Sequence, residues 1–179
     1  MSETTVAPVP LLTAKEVEGR VGEVLRRHEM TTVPINPVTL AQRVGIPIRN
    51  AEFDDPNMAG MIVKRGDQVS MLVRGGDPPL RKRFTIAHEL GHYFLHLGED
   101  GEFVDRDANL FRLPSADDRA ASPDRRREIQ ANLFAAALLM PEAELRLYWK
   151  ERKSIAELAR IFQVSPEAMG YRLDALGLD

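Results

Sequence analysis

The feature that most restricts this chain is the run Ala131-Asn132-Leu133-Phe134-Ala135-Ala136-Ala137-Leu138-Leu139-Met140, stopped by Pro141. As a helix it would be apolar almost all round. Such a helix has no face for water and must be covered from every direction. The rest of the chain therefore has to wrap around it. With 179 residues and 44% hydrophobic content, there is material for one substantial core and a small appended unit.

That helix has a clear start at Ser122-Pro123, an N-cap followed by Pro at the first helical position. Upstream, residues 13–30 read as a helix, because Val17, Val21, Val24, Leu25 and His28 recur at helical spacing. Pro34 and Pro37 end it, and a short helix over 38–44 stops at Gly45. Strand-like pieces follow at 46–48, 61–64 and 68–74, with Arg65-Gly66-Asp67 as a hairpin turn. Pro78-Pro79 introduces a long helix to about Leu97. Residues 98–123 are rich in Asp and Glu and show little periodicity; loops of that length are usually functional or mobile. Beyond Pro141 a helix is expected to about Arg152. Ser154 with Glu157 then makes a capping-box pattern for a helix to Phe162, and Ser165-Pro166 starts a last helix ending near Gly177. The predicted class is α+β: a small sheet in the N-terminal half packed on helices, with a C-terminal helical segment. The expected division is a flexible tail over 1–12, a main domain over 13–152 and a helix-turn-helix-like segment over 153–179 packed on it.

Charge and composition exclude several classes. The net charge is -3 and the pI about 5.9, so the overall basic field of a nucleic-acid binder is absent. There are no cysteines, which excludes disulfides and thiolate metal sites; a metal would have to be held by His, Asp or Glu. No apolar run reaches the ~18 residues of a membrane span, and residues 1–10 lack the pattern of a signal peptide. A cytoplasmic location is expected.

His88-Glu89-Leu90-Gly91-His92 is an HExxH motif in the long helix. At about 100° and ~1.5 Å per residue, its two histidines lie about 40° apart around the helix and about 6 Å apart along it. Imidazoles so placed can share one metal ion. Glu89 sits at the edge of the same sector, within reach of a water on the metal. A chance match in an amphipathic helix is the alternative. A catalytic zinc needs a third protein ligand and an open position. The longer HExxHxxGxxH form fails, because its third His would fall on Gly98.

Glu128, in the second turn of the apolar helix, is the best candidate. A carboxylate approaching the core there needs a partner, and a metal would be one. A surface ion pair with Arg125 or Arg127 is the alternative. Asn132, one turn on, could hydrogen-bond a ligating His and fix its tautomer, or serve only as a packing amide. His96 would be about 12 Å from His88 along the axis and is read as structural. Glu99, Asp105 and Asp118 are reserve ligands, and His28 has no role. Arg81-Lys82-Arg83 and Arg125-Arg126-Arg127 are read as solvated charge rather than docking surfaces.

The stretch from Arg83-Phe84-Thr85-Ile86-Ala87 through the HExxH motif to Tyr93-Phe94-Leu95-His96, taken with Glu128-Ile129-Gln130-Ala131-Asn132 and the run to Pro141, resembles the ImmA/IrrE family of zinc metallopeptidases. The resemblance implies a gluzincin-like fold with a zincin-type active-site helix. It implies Zn²⁺ on His88, His92 and Glu128 and Glu89 as the catalytic acid/base; by donor chemistry, Mn²⁺ could share such a site. It also implies a protein substrate: a helix-turn-helix repressor of the XRE type, cut to relieve repression in a stress or mobile-element response. Substrate backbone could add to a strand near Met71–Arg74, or that strand could be internal and already paired on both sides. Tyr93, Tyr148, Tyr171 and several arginines are candidates for the oxyanion donor.

Two rival readings fit the same sequence. Residues 154–173 read as helix, turn, helix, which suggests a DNA-binding regulator. Gln163 stands where such turns often carry Gly, only Tyr171 and Arg172 look like base or phosphate contacts, and charge nearly balances there, so direct DNA binding is not expected. A zinc-containing antitoxin or adaptor without catalysis shares the same ligands, but has no need of Glu89.

Overall fold

The computed structural model describes residues 12–96, the backbone of 101–105, and residues 122–178. The chain begins with α1 (Ala14–Arg27), α2 (Pro37–Arg43) and the strands β1 (Ile48–Ala51), β2 (Gly60–Arg65) and β3 (Gln68–Arg74). The motif helix α3 (Pro79–His96), β4 (Gly101–Asp105) and the apolar helix α4 (Pro123–Leu139) follow. Three helices close the chain: α5 (Glu142–Lys150), α6 (Ile155–Phe162) and α7 (Pro166–Ala175). The α+β class expected from the pattern is the one observed.

Local chemistry sets the helix starts. Thr13 and Glu16 exchange hydrogen bonds in a capping box at α1, and Ser154 and Glu157 do the same at α6. Ser122 and Ser165 cap α4 and α7, each followed by Pro. The end of α2 shifts the first strand. Gly45 takes φ 77°, and the Ile46 amide closes back on the Ala41 carbonyl at 2.9 Å. That amide is spent on the helix end and Pro47 has none to offer, so β1 starts at Ile48 instead of spanning 46–48.

The sheet order is β1-β3-β2-β4, with β1 parallel to β3 and the other pairs antiparallel. Arg65 pairs with Gln68 across a tight turn in which Gly66 takes φ 57°. Two expectations are corrected here. The stretch 98–123 contains a strand, β4, made by pairing with β2; its alternation is broken by Glu102 and Asp105, so only the partner strand reveals it. The rest of that stretch, and the tail 1–11, lie outside the described residues. The strand at Met71–Arg74 is internal, bonded to β1 on one side and β2 on the other, so it has no edge for a substrate to join.

Helix α3 lies between the sheet and α4. Every residue from Phe84 to His92 is buried, so this segment is not an amphipathic surface helix that matched a motif by chance. From Ile129 onward helix α4 is buried except for partial exposure at Leu133 and Ala136, close to what its composition requires.

The C-terminal helices join the same hydrophobic cluster through Leu158, Phe162, Met169 and Leu173. Gln163 ends α6 in the left-handed conformation (φ 54°, ψ 53°). Arg172 is buried, its Nε donating to the Met140 carbonyl at 3.0 Å and its Nη1 lying 2.5 Å from Glu18 of α1. Pro141 breaks α4 just past Met140, and Arg172 satisfies that carbonyl. One of the two side chains a recognition helix would need is thus spent inside the protein. Arg83 is likewise structural: its Nη2 donates to the Ile35 carbonyl and lies 3.4 Å from that of Phe162.

Arg172→Ala leaves a helix-end carbonyl and the Glu18 carboxylate without their partner. It should destabilise the fold by roughly 2–4 kcal/mol, read as a lower urea midpoint. An unchanged midpoint would show that the contact contributes nothing.

Candidate metal centre

Two pairs of residues, each spaced four apart, face each other where α3 crosses α4. His88 and His92 come from α3, and Glu128 and Asn132 from α4. The spacing stacks each pair on one helix face. The crossing is close because of Gly91. A Cβ there would stand 2.9 Å from the Ala131 Cα, 3.0 Å from the Ala131 carbonyl oxygen and 3.1 Å from the Phe134 Cβ. Without a side chain at 91 and with only a methyl at 131, the backbones meet and the functional groups converge.

The Nε2 atoms of His88 and His92 are 3.0 Å apart. Glu128 places Oε2 3.2 Å from the first and Oε1 3.2 Å from the second. These three residues form the one group of potential metal ligands found among the described residues. For bonds of ~2.0–2.1 Å, neighbouring ligand atoms on a zinc tetrahedron are about 3.3 Å apart. The observed spacings fit that edge, and the donor set suits a divalent ion.

On its far side, His88 Nδ1 lies 2.8 Å from Asn132 Oδ1. An amide oxygen only accepts, so Nδ1 carries the proton and the Nε2 lone pair faces the cluster. Burial pushes the His92 pKa down to about 4, keeping the ring neutral. Burial alone would raise the Glu128 carboxyl, but its close contacts with the His88 and His92 rings outweigh it and hold it well below the usual range. Two neutral imidazoles and one carboxylate are the forms that bind a metal.

Glu89 is buried one residue after His88. A Cβ on Gly60, the first residue of β2, would stand 3.0 Å from Glu89 Oε1 and 2.5 Å from Thr85 Cγ2. The sheet therefore presses on α3 here, and only Gly allows it. Sequence reasoning missed Gly60 and the packing role of Gly91. A glycine inside a helical pattern was the available signal for the second.

The remaining candidates fall elsewhere. His96 stands with its ring 5.7 Å from that of His92, outside the donor cluster, and burial pushes its pKa down to about 4. His28 caps α1 and tilts against Phe94. Tyr148 packs edge-on against Phe162, and the Tyr171 hydroxyl lies 3.5 Å from Glu167, so both belong to the C-terminal helices. Tyr93 packs edge-on against Phe94. Glu99 and Asp118 lie outside the described residues; the Asp105 backbone is in β4, opposite Gly60.

Comparison with known proteins adds to this geometry. A family model described as the IrrE N-terminal-like domain, of the peptidase class, matches residues 41–174. The radiation response metalloprotease IrrE of Deinococcus radiodurans is 35% identical over 108 residues, which is 58% of this chain and 30% of that protein. The metallopeptidase ImmA of Bacillus subtilis is 25% identical over 171 residues, 94% of this chain and 90% of that one. A solved Mycobacterium tuberculosis transcriptional regulator shares the fold, with TM-score 0.61 and 23% identity over 89% of this chain and 46% of its own.

Two outcomes are expected. Gly91→Ala gains about 1 kcal/mol of helix propensity but meets backbone at 2.9 Å, and overpacking costs about 1–3 kcal/mol. The helices should part and zinc affinity, measured by chelator competition, should fall by an order of magnitude or more; wild-type affinity contradicts the crossing argument. In the metal-free protein, the unfolded chain takes up a proton on His92 near pH 6.5 that the folded chain refuses until about pH 4. This contribution, on the order of 3 kcal/mol, is fully present above the unfolded pKa and is lost as pH falls from 6.5 to about 4. Glu128, with its folded pKa depressed, contributes above its ordinary value of 4.5 and loses that on further acidification. The melting temperature of chelator-treated protein should fall steadily below pH 6.5; a flat profile would rule this out.

Proposed function

This chain belongs to the IrrE N-terminal-like peptidase family, and from that premise we propose that it is a zinc-dependent endopeptidase that cuts a helix-turn-helix (XRE-type) repressor to relieve repression in a stress or mobile-element response. The observation that carries the reading is the convergence of His88, His92 and Glu128 at 3.0–3.2 Å with Glu89 buried beside them.

His88, His92 and Glu128 would hold the ion, and Asn132 would keep His88 in the tautomer that offers Nε2. Bound zinc supplies an acidified water, of pKa about 7, and polarises the scissile carbonyl; manganese could take the same donor set. Glu89, on the same helix but turned about 100° from His88, is left to move protons. It takes one from the attacking water and passes it to the leaving amine. An extended substrate would add to the sheet at β4, which bonds to β2 on one side and whose Asp105 stands opposite Gly60 against Glu89.

A cytoplasmic place of action suits a repressor substrate and a chain without cysteines. Among the described residues no helix is long and apolar enough to cross a membrane.

The test is incubation of the metal-loaded protein with the helix-turn-helix repressor encoded nearest its own gene, followed by intact mass. Wild type should make one discrete cut. Glu89→Gln should bind zinc as wild type does and cut roughly 10²–10⁴-fold more slowly. If Glu89→Gln cuts at the wild-type rate, the assigned chemistry is wrong. If wild type cuts nothing with either metal, the repressor is not its substrate.

A further inference from the structure

Thr85 is fully buried, and among the described residues its Oγ1 has no hydrogen-bond partner. A helical threonine usually returns its hydroxyl to the carbonyl one turn back, and leaving a buried hydroxyl unpaired is costly. Valine would fill the same space without that cost. Thr85 lies one turn before Glu89 on the same face of α3, and its methyl and the Glu89 Oε1 both press on Gly60 of β2.

Building on the peptidase reading above, we infer that Thr85 is a positioning residue for Glu89. A hydroxyl both donates and accepts. The carboxylate needs a donor before it takes a proton, and the carboxylic acid needs an acceptor until it gives that proton up. Serine or threonine meets both needs; valine meets neither. Gly60 completes the arrangement. By pressing the strand onto the methyl of Thr85 it pins the side chain, and by lacking a Cβ it leaves room for the carboxylate. Among the described residues the hydroxyl is bonded to no partner, Glu89 included; it is thus a group kept for the working cycle, engaged when the carboxylate turns toward it, at the expense of stability.

The test compares Thr85→Val and Thr85→Ser with wild type in the full chain. Three readings are made: the denaturation midpoint of the metal-free protein, zinc affinity by chelator competition, and kcat and KM on the repressor that wild type cuts. For Thr85→Val we expect a raised midpoint and zinc affinity within twofold of wild type. Its kcat should fall roughly 10–100-fold, the scale of a misplaced catalytic group, at unchanged KM. Thr85→Ser should recover most of that loss. A wild-type kcat in Thr85→Val overturns the inference. So does a lowered midpoint or a lost metal, since either makes the hydroxyl structural. Should wild type itself cut nothing, the peptidase reading fails separately, and the midpoint still decides: a more stable valine variant supports a hydroxyl held for function, and a less stable one sinks it.

Discussion

The crossing of α3 and α4 at Gly91 and Ala131 is the contact on which the rest depends. Helices in globular proteins usually pack about 8–10 Å apart, with side chains filling the gap. Here the gap is filled by almost nothing, since a single added methyl at 91 would meet the Ala131 backbone. The reward is geometric. Two histidines and a carboxylate on short side chains reach one point from two helices, and an amide on the second helix reaches back to orient a ring on the first. Ridge-into-groove packing with larger residues would hold the same groups apart.

The burial that such a crossing demands also sets the protonation states. His88 and His92 are surrounded by core, and Glu128 is three-quarters covered. In that medium a charged imidazole is disfavoured, while a carboxylate survives only beside polar hydrogens or a cation. The fold thereby presents a donor set that could hold a divalent ion. The sheet presses from the opposite side of α3 through Gly60, so a second glycine repeats the device of the first: backbone laid directly on a functional helix.

The C-terminal helices show the opposite relation between pattern and use. Their caps, turn and spacing resemble a helix-turn-helix, yet Arg172 points into the protein and joins α7 to the end of α4 and to α1. A likeness in backbone does not by itself make a reader of DNA, and here one side chain that could read it is occupied in the core. The segment completes the packing around the buried helix.

Much of this was legible in the sequence. The apolar run before Pro141 required a central helix, the HExxH spacing put two imidazoles on one face, and Ser122, Ser154 and Ser165 announced their helices. These are local properties, decided by periodicity of about 3.6 residues and by hydrogen bonds spanning three or four positions. Glu128 and Asn132 could be singled out by polarity in an apolar helix, but their facing partner could not. Which strand is internal, that β4 exists, and that Arg172 is buried depend on pairings across tens of residues. No local pattern encodes them, because a strand or an arginine reads the same at an edge as inside. The two glycines carry the same lesson. Sequence alone shows that a side chain is absent at 60 and 91; only the tertiary structure shows which backbone and which carboxylate occupy the space that absence leaves.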